Sequence, residues 1–243
     1  MKNLIILIFT SFIFSCAQST TKKHYMILIG DSIAEGHPLA HGRLHKDFGA
    51  EMDLDKPNEE GQLAWYFEKQ FHMPCLNQGI GGHNSNNIWR GRWQRDVLPN
   101  DGTHESTNPY NFNPSIVYIH VGINDIAAKA EYELITTNIK AMVENALSLG
   151  AIVYIDTIGP DITKDRDTEL PWFTPELQAR AKAVNDFIWS LNSEKVHVMD
   201  YLRWASNGTM DFLTLKSGMF ADPVHPNKEG YADFANFVRN NIN

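Results

Sequence analysis

Three residues of this 243-residue chain, Ser32, Asp222 and His225, could together do chemistry that none does alone. Ser32 ends the run Ile27-Leu28-Ile29-Gly30-Asp31-Ser32. A serine hydroxyl is a weak nucleophile at its free pKa and attacks only with a base in hydrogen-bond reach. His225, in the stretch Asp222-Pro223-Val224-His225, offers an imidazole, the side chain suited to proton transfer near neutrality. Asp222, three residues earlier, can accept the other ring N–H, set the tautomer and stabilise the imidazolium. Two further stretches can donate to an oxyanion: Asn77-Gln78-Gly79-Ile80-Gly81-Gly82 and Gly122-Ile123-Asn124-Asp125. The backbone N–H groups of Ser32 and Gly82 and the Asn124 side-chain amide are the candidates, each donor typically worth about 3–4 kcal/mol of barrier. Together these parts suit acyl transfer. Singly each has an ordinary reading: Ser32 as a helix cap, Gly-Ile-Asn-Asp as a turn, Asp-x-x-His as coincidence.

Whether the parts meet depends on the elements that carry them. Tyr25–Ile29 is an unbroken apolar run, as expected of a parallel strand covered on both faces. Further strands are expected at 74–77, 115–121, 152–158 and 196–199, and helices at 61–72, 86–98, 130–149, 174–191 and 227–241. Thr174-Pro175-Glu176 is a strong helix start, with a capping threonine and proline in the first turn. The alternation of strand and helix predicts an α/β fold, three-layer α/β/α, with a five-stranded parallel, flavodoxin-like sheet of order 2-1-3-4-5. In such a sheet a site lies beyond the carboxyl ends of the strands, which is where Ser32, Gly82 and Asn124 fall. The first strand sits between the second and third, so these three should be neighbours, with His225 arriving on the long loop after the fifth strand.

The blocks GDSI, NQGIGG, GIND and DPVH, in that order, make the chain resemble the SGNH (GDSL-type) serine hydrolase family of esterases and acetylesterases over about residues 25–240. The resemblance implies Ser32 as nucleophile, His225 and Asp222 as its partners, Ser32, Gly82 and Asn124 as oxyanion donors, no cofactor and no metal. Ile33 stands where the family more often has leucine, a departure that touches no chemistry. It further implies a serine esterase that removes short acyl groups, acetyl first, from a carbohydrate. A lipase, lysophospholipase or thioesterase with the same triad is the rival. A surface glycan-binding lipoprotein whose site has decayed is a second, disfavoured by the intact Ser32, Asp222 and His225.

The remaining residues bound the rest. A net charge of −8 speaks against a nucleic-acid partner, which requires clustered Lys and Arg. Nothing calls for a protein partner. Residues 1–15, with Lys2 before an apolar run, read as a lipoprotein-type signal peptide, and 16–23 as a tether. Ile-Phe-Ser-Cys resembles a lipobox, which would place lipid on Cys16 and the enzyme at a membrane in the periplasm or at the cell surface. Ser15 and Ala17 also fit ordinary cleavage after Ala17 and secretion. Residues 24–243 then form one domain. Cys75 reads as a buried thiol, His120 as a core histidine and Asp156 as a structural carboxylate. The spacing of His37, His41 and His45 invites a metal reading, but Gly36, Pro38 and Gly42 argue against a continuous helix, and a loop beside the nucleophile is preferred. Trp89 and Trp93 face one way for packing, leaving Arg90, Arg92 and Arg95 as a solvated face. Trp172 and Trp204, in loops after strands, could be sugar platforms or buried anchors.

Overall fold

The computed structural model describes residues 24–38 and 58–242. The signal and tether segments, Cys16, His41 and His45 lie outside the described residues.

Five strands form one all-parallel sheet in the order β2-β1-β3-β4-β5. They are β1 (Met26–Gly30), β2 (Cys75–Gly79), β3 (Ile116–His120), β4 (Ile152–Asp156) and β5 (Val196–Met199). Alternation along each strand divides the core in two. Ile27, Ile29, Val117, Ile119, Val153 and Ile155 face one cluster, which the helices α5 (Tyr132–Ser148) and α6 (Pro175–Ser190) cover with Ile135, Ile139, Met142, Val184 and Ile188. Met26, Leu28, Ile116, Tyr118 and Tyr154 face the other, closed by α2 (Leu63–Phe71) and α8 (Lys228–Asn240) through Leu63, Phe67, Phe234 and Val238. Both faces of β1 are therefore dry, which is why its sequence reads as continuous apolar residues rather than alternating ones. The three-layer α/β/α fold is the one expected.

Short helices at the carboxyl ends of the strands were not expected as separate elements: α1 (Ser32–Glu35), α4 (Ile123–Ala127) and α7 (Tyr201–Ala205). Each is four or five residues long, too short for a 3.6-residue period to repeat. The helix expected over 86–98 is a π-helical stretch, Asn87–Arg92, running into α3 (Trp93–Val97). Its register corrects the expectation for Arg92, which is 4 % exposed rather than part of a solvated face. The guanidinium donates to the carbonyls of Gly30 at 2.7 Å and Gln78 at 2.6 Å, and to Asp96 Oδ2 at 2.8 Å. Arg90 is exposed and Arg95 half-buried.

β2 runs two residues further than expected, to Gly79, and the reason lies in α1. A Cβ on Gly79 would sit 2.0 Å from the Glu35 backbone nitrogen. Only a residue without a side chain lets α1 lie this close to the sheet edge, and α1 is the element that carries Ser32.

Candidate active site

Ser32 is the first residue of α1, directly beyond the carboxyl end of β1. Asp31 caps the helix: its side chain accepts from the Ile33 N–H at 3.0 Å. The turn is held from below as well, because Gly36 N–H donates to the Ser32 carbonyl at 3.1 Å and His37 N–H to the same carbonyl at 2.9 Å. A residue at the head of a helix has no carbonyl one turn earlier to receive its N–H, so the Ser32 amide is not used by α1 itself.

The long loop after α7 returns across the sheet to this point. His225 Nε2 lies 2.8 Å from Ser32 Oγ, across 193 positions of sequence. His225 Nδ1 lies 2.8 Å from Asp222 Oδ2 and 3.0 Å from Oδ1. Asp222 is in turn fixed by its own backbone, since Oδ1 accepts from the N–H groups of Val224 and His225, both at 2.8 Å. Burial pushes the Asp222 carboxyl up, but those two N–H groups and the His225 ring outweigh it and hold it below the ordinary carboxylate range. The carboxylate is thus kept ionised against the imidazole. The geometry lets Nε2 accept the Ser32 hydroxyl proton while Nδ1 keeps its own on Asp222, the relation that activates a serine.

Gly82 and Asn124 follow the two strands that flank β1 in the sheet. Asn124, on α4 after β3, donates from Nδ2 to the His83 carbonyl at 3.0 Å, which joins it to the loop that follows β2. The same loop is tied to α1, because Gly81 N–H donates to Glu35 Oε2 at 2.9 Å. Arg92 completes the frame: besides the carbonyls ending β1 and β2, its Nε donates to His83 Nδ1 at 3.0 Å. Gly82 has a φ of +75°, a left-handed backbone that favours glycine, and among the described residues no atom beyond its chain neighbours lies within 4 Å of where its Cβ would be. All five residues expected from the sequence lie at the carboxyl ends of adjacent strands or on the loop that reaches them.

Glu35 and Arg92 are site-supporting residues that sequence reasoning missed. A signal for Arg92 was present: it stands three after Trp89 and four before Asp96, on the stripe of the inward tryptophans rather than opposite it. His120 and Asp156 are buried as expected, with His120 Nδ1 2.5 Å from Asp156 Oδ2 and the Tyr118 hydroxyl donating to Oδ1 at 2.6 Å. Cys75 is buried at the start of β2. Trp204 is 4 % exposed on α7, its Nε1 donating to Asp233 at 2.7 Å, so it is an anchor and not a platform. Trp172 stays half-buried, stacked on Phe173 with ring centroids 5.4 Å apart.

Comparison with known proteins agrees with this architecture. The profile of the GDSL-like lipase/acylhydrolase family matches residues 28–232. No curated protein matches the sequence. Among solved structures, the chain is similar to a G-D-S-L family protein from Desulfitobacterium hafniense DCB-2, at 21% identity and TM-score 0.63 over 90% of this chain and 100% of that one. It is similar to a GDSL-like lipase from Bacteroides thetaiotaomicron VPI-5482, at 19% identity and TM-score 0.60, covering 92% of this chain and 90% of that one. An acetylxylan esterase from Geobacillus stearothermophilus aligns at 16% identity and TM-score 0.56 over 90% and 94% of the two chains. At such identities the likeness is one of fold, whereas the family profile spans most of the sequence. The chain belongs to the GDSL-like lipase/acylhydrolase family of ester hydrolases.

Proposed function

We propose that the protein is a serine esterase that removes short acyl groups, acetyl foremost, from carbohydrate, with Ser32 as nucleophile, His225 as base and Asp222 as its orienting carboxylate. The observation that carries this reading is the 2.8 Å contact between His225 Nε2 and Ser32 Oγ. As Oγ attacks the acyl carbonyl, its proton passes to Nε2. The oxyanion that forms is met by the N–H groups of Ser32 and Gly82 and by Asn124. Collapse breaks the bond to the sugar oxygen, which takes the proton from His225 and leaves as a hydroxyl, with the acyl group now on Ser32. Water, deprotonated by the same imidazole, then releases the acid. No step needs a cofactor.

The carbohydrate preference draws on the acetylxylan esterase among the structural relatives and on Trp172. The loop bearing Trp172 is tied to the Asp222 loop, since Ile162 N–H donates to the Pro223 carbonyl at 3.2 Å. Its half-exposed indole offers the apolar face on which a sugar ring can lie. The lipobox-like Ile-Phe-Ser-Cys supports an exported enzyme tethered through Cys16.

Comparing turnover of acetyl and octanoyl p-nitrophenyl esters, then scoring acetate release from acetylated glycans, tests the substrate. A clear octanoyl preference transfers the protein to the lipases and thioesterases. A fluorophosphonate probe tests the nucleophile: labelling is expected in the native chain and absent in Ser32→Ala. Failure to label the native chain would leave a glycan-binding protein.

A further inference from the structure

We propose that His37, Asp222 and His225 form a binding site for a borderline divalent cation, Zn2+ in first place, and that its occupancy reversibly shuts the hydrolytic site. The inhibitory half of this rests on the reading of His225 as the base.

The three side chains each offer one ligand atom, and these atoms all lie within 4.8 Å of one another. The imidazole rings of His37 and His225 stand edge to face, 4.4 Å between centroids. Zinc binds imidazole nitrogen and carboxylate oxygen at about 2.0–2.2 Å, which in a tetrahedron sets ligand atoms about 3.3 Å apart. No pair therefore has to close by more than about 1.5 Å on binding, within reach of a side-chain rotation at the exposed His37. Two imidazoles and one carboxylate, with water in the fourth position, favour zinc over the all-oxygen cations magnesium and calcium.

The backbone is built to hold this arrangement. His37 N–H donates to the Ser32 carbonyl, and the His37 carbonyl accepts from the buried Tyr231 hydroxyl at 2.8 Å. Asp222 is held by the Val224 and His225 N–H groups. His37 is thus anchored beside the nucleophile although the esterase chemistry assigns its ring no task.

Inhibition follows from the two nitrogens of His225. A metal takes a ring lone pair. At Nε2 it displaces the Ser32 hydroxyl directly. At Nδ1 it displaces the proton shared with Asp222, and a proton then retained on Nε2 cannot be exchanged for the one on serine. Both modes remove the base, so cation binding and catalysis exclude each other.

The test uses p-nitrophenyl acetate hydrolysis with added zinc chloride in a non-chelating buffer, beside the visible absorption of added Co2+. Expected are inhibition by zinc that EDTA reverses, and a tetrahedral cobalt spectrum in both the native chain and Ser32→Ala. His37→Ala should keep its metal-free turnover, lose the cobalt spectrum and need at least about tenfold more zinc for half-inhibition, a loss typical of disturbing even an outer-sphere partner. Equal inhibition of His37→Ala, or indifference of the active native enzyme to millimolar zinc, overturns the proposal. A native chain that hydrolyses no ester yet shows the His37-dependent cobalt spectrum upholds the cation site and removes the esterase reading instead.

Discussion

Replacing Arg92 with methionine tests whether the site is held from beneath. Arg92 is almost wholly buried and joins four elements: the ends of β1 and β2 through the Gly30 and Gln78 carbonyls, the glycine loop through His83, and α3 through Asp96. Methionine fills similar volume but donates nothing. Removing one partner of a buried ion pair typically costs about 3–5 kcal/mol. Two features of the structure place Arg92→Met at the lower end. Asp96 keeps Arg95 at 2.6 Å and the Thr107 hydroxyl at 2.8 Å, and the Gly30 carbonyl keeps the Ile80 N–H at 3.0 Å. A loss of about 3 kcal/mol in a chain of this size lowers Tm by about 6–12 °C. Thermal unfolding followed by circular dichroism reads the shift, and p-nitrophenyl acetate hydrolysis below the new Tm reads the site. Turnover should fall too, because both strand ends and the His83 loop lose their common tie. Arg92→Lys should recover little, since one ammonium cannot span the divergent acceptors of a guanidinium fork. A Tm within about 2 °C of the native value, less than the shift expected for 1 kcal/mol, refutes the argument.

Asn124→Ala should lower kcat by about a hundredfold or more with KM little changed, because its donor acts on charge that develops only in the transition state; unaltered steady-state turnover removes it from the oxyanion site. Gly79→Ala, whose Cβ would lie 2.0 Å from the Glu35 nitrogen, must shift α1 and Ser32 with it, so activity and Tm should both fall; native kcat would refute the close-approach argument. Burial pushes the His120 imidazole down, but Asp31 and Asp156 facing it prevail and hold it above the ordinary histidine value. Its contribution to stability is then complete below about pH 6.5 and is lost as pH rises through the raised folded value. Nitrogen-15 NMR should find both ring nitrogens of His120 protonated at a pH where exposed histidines are neutral, and a singly protonated ring at about pH 6 would sink the assignment.

The sequence by itself determined the elements with long period and the residues at strand ends. β1, β3 and α5 announce themselves because burial on two faces or one stripe imposes a repeating pattern over many residues. From strand order follows the adjacency of Ser32, Gly82 and Asn124, since parallel strands deliver their carboxyl ends to one edge. Only the tertiary structure decided what no local pattern encodes. The 2.8 Å contact of His225 with Ser32 spans 193 positions and depends on how a long loop crosses the sheet. The fate of Trp204 turned on a five-residue helix too short to show a period. His37 and Asp222 acquired a common neighbour in His225 because one loop was pinned to Tyr231 and the other to its own backbone. Periodicity reports which face is dry; where two distant side chains meet is settled by the packing of everything between them.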